Sequence, residues 1–212
     1  TSGEDVTKTF TPITSGSAYA SFFVKVSSAQ ATGDYFFSVM SGGGFPLRFY
    51  IKSSGAGYVF GISKGSGTIS WDATERAFGT TFLVVTKYTY NSGSTTDDAV
   101  SMFINPALGS SEPTPTVGPT TSGGAIADVT TLDRFGLRQG SATAASAQVV
   151  DGIRVGTTWA QVTPSNGAVL PTVTTTAASS INGTTAVSGG NVTADGGATV
   201  TRRGIIYSTG AI

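Results

Sequence analysis

The chain has 212 residues, of which 39% are hydrophobic and 11% charged, with 29 glycines and 12 basic residues balancing 12 acidic ones. That apolar share supports a core and excludes global disorder, while zero net charge without a basic run excludes an electrostatic footprint for nucleic acid or anionic lipid. Cysteine and histidine are both missing, which removes disulfides, thiolate and imidazole metal sites, and Ser-His or Cys-His nucleophiles. The length suits one large sandwich, or one domain plus a smaller piece. No apolar run is long enough to span a membrane. The start at Thr1, without Met or a signal pattern, and the end at Gly210-Ala211-Ile212 within a β unit lead us to expect a piece of a longer precursor.

Low charge with abundant Thr, Val, aromatics and Gly favours strands joined by tight turns. Residues 6–10 are expected to form a short first strand. In Ala18–Val26, Ala20, Phe22, Val24 and Val26 share one face, with Ser21, Phe23 and Lys25 on the other. Tyr35–Met40 follows a turn, with Tyr35, Phe37 and Val39 aligned. Leu47, Phe49 and Ile51 alternate with Arg48, Tyr50 and Lys52, the pattern of a half-buried strand. Tyr58–Ile62 and Thr68–Trp71 follow further turns, and Asp72–Phe78 reads as a single helical turn or a loop. Thr81–Tyr90 is apolar on both faces and belongs in the middle of a sheet; Ala99–Ile104 answers it across the polar loop Asn91–Asp98.

Asn105–Thr131 is a long Pro/Gly/Ser/Thr loop, a length that is usually functional or mobile. Leu132–Arg138 and Val149–Val155 are the expected last strands of the first domain. In the closing segment Gln148–Trp159, Val149, Asp151, Ile153 and Val155 fall on one face, Arg154 points the other way, and Trp159 plugs the exit. Residues 1–160 therefore form one domain, 161–171 a linker with Pro164, Gly167 and Pro171, and 172–212 a second, partial β unit. Many strands without a crossover helix argue for an all-β, antiparallel jelly-roll β-sandwich.

The segments AYASFFVKV, GDYFFSVMSGG, PLRFYIK, TTFLVVTKYTY and DDAVSMFINP, closed by VVDGIRVGTTWAQVTP, resemble a laminin-G-like, concanavalin-A-like jelly roll. The form it is most similar to occurs in large secreted or surface proteins of Bacteroidota and related bacteria. The stretch TTAVSGGNVTADGGATVTRRGIIYSTG resembles the first half of a fibronectin-III-like repeat, with strands at Thr184–Asn191 and Thr199–Tyr207 and a turn at Asp195-Gly196-Gly197. Such relatives carry more sequence before the segment matching Thr1–Phe10, so a strand supplied by another chain or segment through β-augmentation is an expectation of the resemblance. It also implies an extracellular or cell-surface location.

Glycoside hydrolysis needs two carboxylates at a working separation, and the acids here are scattered along the chain, so the expectation is a protein without enzymatic activity. Calcium is the one cofactor to consider. The resembled domains often bind it, and Asp97 with Asp98, or Asp128 with Asp133, are candidate ligands. The competing account makes Asp97-Asp98 a solvated hairpin tip and Asp128 a polar loop group; no D-x-D-x-D-G spacing is present. Asp151, Arg154 and Trp159 are assigned structural roles, with Arg134 or Arg138 as the partner a buried Asp151 would need. Phe36, Tyr50 and Trp71 are the candidate sugar contacts, and core packing is the competing account for each. Three readings follow: a structural or adhesive module whose partners are its own copies or other surface proteins, a carbohydrate-binding module, and a glycoside hydrolase. None involves nucleic acid or membrane insertion.

Overall fold

The computed structural model describes residues 5–165, 172–195, 200 and 202–204. The chain divides into two compact units, Thr1–Thr163 and Pro164–Ile212. The first is an antiparallel β-sandwich. Its strands are β1 (Val6–Ile13), β2 (Ser17–Ser28), β3 (Asp34–Ser41), β4 (Gly44–Ser54), β5 (Gly57–Lys64), β6 (Ser70–Trp71), β7 (Thr81–Thr89), β8 (Ala99–Ile104), β9 (Val117–Thr120), β10 (Leu132–Leu137) and β11 (Ala147–Gly156). A six-stranded sheet in the order β1-β10-β3-β4-β5-β6 packs on a five-stranded sheet in the order β11-β2-β7-β8-β9. The chain passes between sheets at β1–β2, β2–β3, β6–β7, β9–β10 and β10–β11, the winding of a jelly roll.

Alternation builds the core. Ala20, Phe22, Val24 and Val26 of β2 are wholly buried against Leu47, Phe49 and Ile51 of β4 and Phe60 and Ile62 of β5. Each of the Val, Leu, Ile and Phe side chains here stabilises the fold by about 1.5–3 kcal/mol through transfer from water. β7 lies in the middle of its sheet, with Val84 turned into the core and Val85 buried on the opposite face. The segment after β6 is a loop. Arg76 and Tyr58 exchange two backbone hydrogen bonds there, of 2.8 and 3.0 Å, which extends the cover of β5 beyond the two residues of β6. β6 touches β9, so the opposite side of the sandwich carries the long, open edges β1 and β11.

Two bulges move side chains away from the faces that strict alternation gives them. In β3, Tyr35 pairs with Tyr50 and Phe37 with Phe49, leaving Phe36 as the extra residue. Phe36 and Phe37 both enter the core, and Tyr35 passes to the outer face beside Tyr50. In β11 the register shifts between Asp151 and Arg154 around Gly152, whose φ is +63°, the left-handed residue that a bulge of this kind requires. Val150, Ile153 and Val155 then face the core. Val149, expected inside, is 68% exposed. Asp151 is exposed too, and its carboxylate accepts the Gly152 N–H at 2.7 Å. Neither expected arginine reaches it: Arg134 pairs with Asp133, and Arg138 with Asp34.

Trp159 opens a one-turn helix, α1 (Trp159–Val162), where the strand exit was expected to be plugged. Gln161 closes that turn by accepting the Thr157 and Thr158 N–H groups. In the second unit, β12 (Thr172–Ser179) and β13 (Val187–Ala194) form an antiparallel pair. The strand expected at Thr184–Asn191 overlaps β13, and β12, which precedes it, is its partner among the described residues. Residues 196–199 and most of the strand expected at Thr199–Tyr207 lie outside the described residues.

Candidate functional site

The outer face of the five-stranded sheet is covered. Trp159 and Val162 of α1 pack with Tyr19, Val85 and Phe103, with the Trp159 ring 4.8 Å from Phe103 and 6.1 Å from Tyr19, both edge to face. Ser21 Oγ donates to the Val162 carbonyl at 2.7 Å. From the long loop, Glu112 accepts the Tyr19 hydroxyl at 2.6 Å and pairs with Lys87 at 2.8 Å. Within this unit no described helix or strand is left to cover the outer face of the six-stranded sheet.

On that open face a row runs across four strands. Tyr35 of β3 pairs with Tyr50 of β4, Tyr50 with Gly61 of β5, and Gly61 with Trp71 of β6. The Tyr35 and Tyr50 rings are 5.6 Å apart, and those of Tyr50 and Trp71 6.0 Å. Gly61 makes the row continuous, because a Cβ there would sit 2.6 Å from the Trp71 ring. Trp71 thus leans over the strand toward Tyr50. Cations lie over the two end rings: the Arg138 and Arg48 guanidinium carbons are 4.4 and 4.8 Å from the Tyr35 centroid, and Lys52 Nζ 4.3 Å from that of Trp71. Arg138 is paired to Asp34 at 2.7 Å. Arg48 and Lys52 have no carboxylate partner among the described residues. Tyr50, 7% exposed, shares a hydrogen bond of 3.1 Å with Ser63; Tyr35 and Trp71 are half-buried.

This arrangement offers π faces for apolar sugar surfaces and fixed cations for anionic groups. Of the expected sugar contacts, Tyr50 and Trp71 belong to it. Phe36 does not: it is 4% exposed and packs edge to face on Phe22 and Phe49. Tyr35, Arg48, Lys52 and Arg138 were not among the expected sugar contacts, although the alternating R-x-Y-x-K of β4 places Arg48, Tyr50 and Lys52 on one face.

The carboxylates of Asp97, Asp98 and Asp128 approach within 4.8 Å of one another. Asp133 stands apart, accepting the Gly42 N–H at 3.1 Å and pairing with Arg134. Most oxygens of the trio are engaged. Asp98 accepts the Asn91 N–H and the Tyr88 hydroxyl. Asp97 Oδ2 accepts the Gly93 and Ser94 N–H groups. Asp128 accepts the Asp97 and Asp98 N–H groups and pairs with the ammonium of Lys64, a fully buried side chain. Asp97 Oδ1 is buried without a hydrogen bond. Burial works against ionisation of Asp128, but Lys64 and the two N–H donors outweigh it and hold its carboxyl below the ordinary value. An internal ammonium thus offsets the charge of Asp128, and the trio ties the loop before β8 to the loop before β10.

No family model matches the chain, and no curated protein matches it. Among solved structures it is similar to a heptameric pentraxin from Limulus polyphemus, at 11% identity and a TM-score of 0.46 over 70% of this chain and 66% of that one. An alginate lyase mutant in complex with alginate tetrasaccharide matches at 16% identity and 0.44, over 71% and 72% of the two chains. A tetrameric galectin from the ball sponge Cinachyrella sp. matches at 9% identity and 0.43, over 72% and 99%. No residue role transfers at such distances.

Proposed function

We propose that the first unit is a non-catalytic adhesive module that binds glycans across the open face of its six-stranded sheet, with a preference for acidic chains. The observation that carries this is the Tyr35–Tyr50–Trp71 row bordered by Arg48, Lys52 and Arg138. Rings stack on the apolar faces of sugars, and the two cations without carboxylate partners suit the carboxylate or sulfate groups of an acidic glycan. The carboxylate beside the row, Asp34, is committed to Arg138, which favours binding over acid–base chemistry. The laminin-G-like resemblance supports a setting in a long extracellular bacterial protein whose later repeats are fibronectin-III-like.

The test is a glycan array containing neutral and acidic chains, probed with the whole chain and with Tyr50→Ala and Trp71→Ala. Binding to acidic glycans that both substitutions reduce tenfold or more supports the reading. Binding that neither substitution touches would refute it.

A second reading is assembly through sheet edges. β1 and β11 are long and open, with Val6 and Val149 63% and 68% exposed, and such edges pair readily with other strands.

A further inference from the structure

Two cations of the open face, Arg48 and Lys52, are held in different ways. Arg48 lies over the corner between two rings, its guanidinium carbon 4.8 Å from the Tyr35 centroid and 5.9 Å from that of Phe45. Those rings stand 5.6 Å apart at 63°, and Phe45 belongs to the same strand as Arg48. Arg48 Nε donates to the Phe45 carbonyl at 3.3 Å. Two rings and one hydrogen bond thus restrict the plane of the guanidinium, and its Nη pair remains for a further acceptor. Lys52 is restrained along its stem. The β2–β3 turn crosses it so closely that a Cβ on Gly33 would stand 2.6 Å from Lys52 Cβ, and the Ser53 N–H pins that turn by donating to the Gln30 carbonyl at 3.0 Å. Its ammonium, over Trp71, is a point charge whose donors rotate.

Charge follows the same division. At the Tyr35 end two guanidiniums, Arg48 and Arg138, share one ring, and the carboxylate of Asp34 is paired to Arg138 at 2.7 Å. One positive charge is left over there, on the group whose geometry is fixed. A guanidinium presents two parallel N–H bonds to one oxyanion, a contact stronger than a neutral hydrogen bond and dependent on the angle of the acceptor. Holding the group against rings before binding also lowers the side-chain entropy lost when the contact forms.

We infer that Arg48 is an oxyanion clamp at the Tyr35 end of the row, reading one carboxylate or sulfate of an acidic glycan through a paired N–H contact. Lys52, at the Trp71 end, adds charge without reading the shape of its acceptor. The inference rests on the glycan-binding reading of the face and deepens it, because one residue sets which acidic group is accepted and where. Arginine and lysine are then not interchangeable at position 48, and are interchangeable at position 52.

The test is calorimetric titration of the whole chain, at several salt concentrations, with a glucuronate-containing tetrasaccharide, its carboxyl-reduced neutral form and a sulfated derivative of that neutral form. Wild type is compared with Arg48→Lys, Lys52→Arg, Phe45→Leu and Trp71→Ala. Arg48→Lys is expected to lose about tenfold or more in affinity for the acidic chain that the wild type prefers, with an unchanged salt dependence because the charge is kept. The chain that shows this loss identifies the oxyanion as carboxylate or sulfate. Lys52→Arg is expected to stay within about twofold of wild type. Phe45→Leu takes away one side of the corner and leaves Arg48 in place. It is expected to weaken the acidic chain several-fold and the neutral chain not at all, and it reports on the clamp if Arg48→Lys fails to fold. Arg48→Lys binding as wild type does, with Trp71→Ala still weakened, overturns the clamp and keeps the glycan face. Loss in Arg48→Lys with Trp71→Ala unaffected supports the clamp and removes the aromatic row. Equal wild-type affinity for the three chains overturns the clamp; no binding by the wild type overturns clamp and face together.

Discussion

Gly61 sets how far the aromatic row runs, because only a residue without Cβ lets Trp71 lean over β5. Gly61→Ala is therefore expected to displace the Trp71 ring, alter the near-ultraviolet circular dichroism and weaken glycan binding as much as Trp71→Ala does, with the sheet still folded. An unchanged aromatic spectrum would contradict this. Lys64 is the other residue on which a local structure depends. Lys64→Met leaves the Asp128 carboxylate without its cation, and urea unfolding is expected to show a loss of about 3–5 kcal/mol. Chelator or calcium should leave the wild-type Tm unchanged; a clear rise with calcium would assign the trio to the metal instead. Titration frames the pH range. Asp72 and Asp128 are held below an ordinary value of 3.8, burial of each being outweighed by Arg76 or Lys64 and by backbone donors. Their contribution is complete above that value and is lost as pH falls through the depressed folded one. Tyr58 is pushed up to about 12 by burial against the opposing charge of Arg76, and burial also raises Tyr88 and Tyr90 from 10.0. The folded state thus favours neutral phenols, and stability falls as pH rises above about 10. Stability flat from pH 5 to 9 and declining at both ends is the expected profile; a maximum below pH 4 would contradict it.

At the scale of elements, the strands with clean alternation were legible, and the departures share one cause. β2 and β4 read correctly because Ala20, Phe22, Val24 and Val26, and Leu47, Phe49 and Ile51, keep a period of two through unbroken pairing with β7 and β5. β3 and β11 did not, because each holds a bulge. The run Tyr35-Phe36-Phe37 offers three aromatics and no polar residue to mark the extra position. In β11 Gly152 was the available signal, but Val149, Ile153 and Val155 satisfied a period of two without it. The error decided the site: a regular β3 would put Tyr35 in the core and Phe36 outside, which removes the end of the row. β12 escaped notice because every one of its residues is exposed, so it has no apolar face to read. Gly152→Val tests the bulge. It places a β-branched side chain at positive φ, 3.0 Å from the Phe23 ring at its Cβ, and is expected to destabilise by about 1–3 kcal/mol in chemical unfolding. A neutral result would mean that β11 adopts a regular register.

For the whole molecule, the asymmetry between the sheets matters most. One outer face is closed by α1 and the long loop, while the other carries rings and cations that no described strand or helix of its unit covers. Composition excluded histidine- and cysteine-based chemistry from the outset, and alternation located most of the open face. The covering of the opposite face was not legible, since α1 has four residues and no amphipathic period. Assembly is judged separately, by sedimentation of the chain over a wide concentration range: monomers throughout would remove edge pairing and leave glycan binding intact.

The open face is tested most directly by calorimetric titration of an acidic oligosaccharide into the wild-type chain and Trp71→Ala, at low and high salt. The expected result is a saturable isotherm that weakens with salt, as half-buried cations still open to solvent require, and an affinity at least tenfold lower in a Trp71→Ala protein of unchanged Tm. Equal isotherms for the two proteins, or no binding by the wild type, would contradict the account.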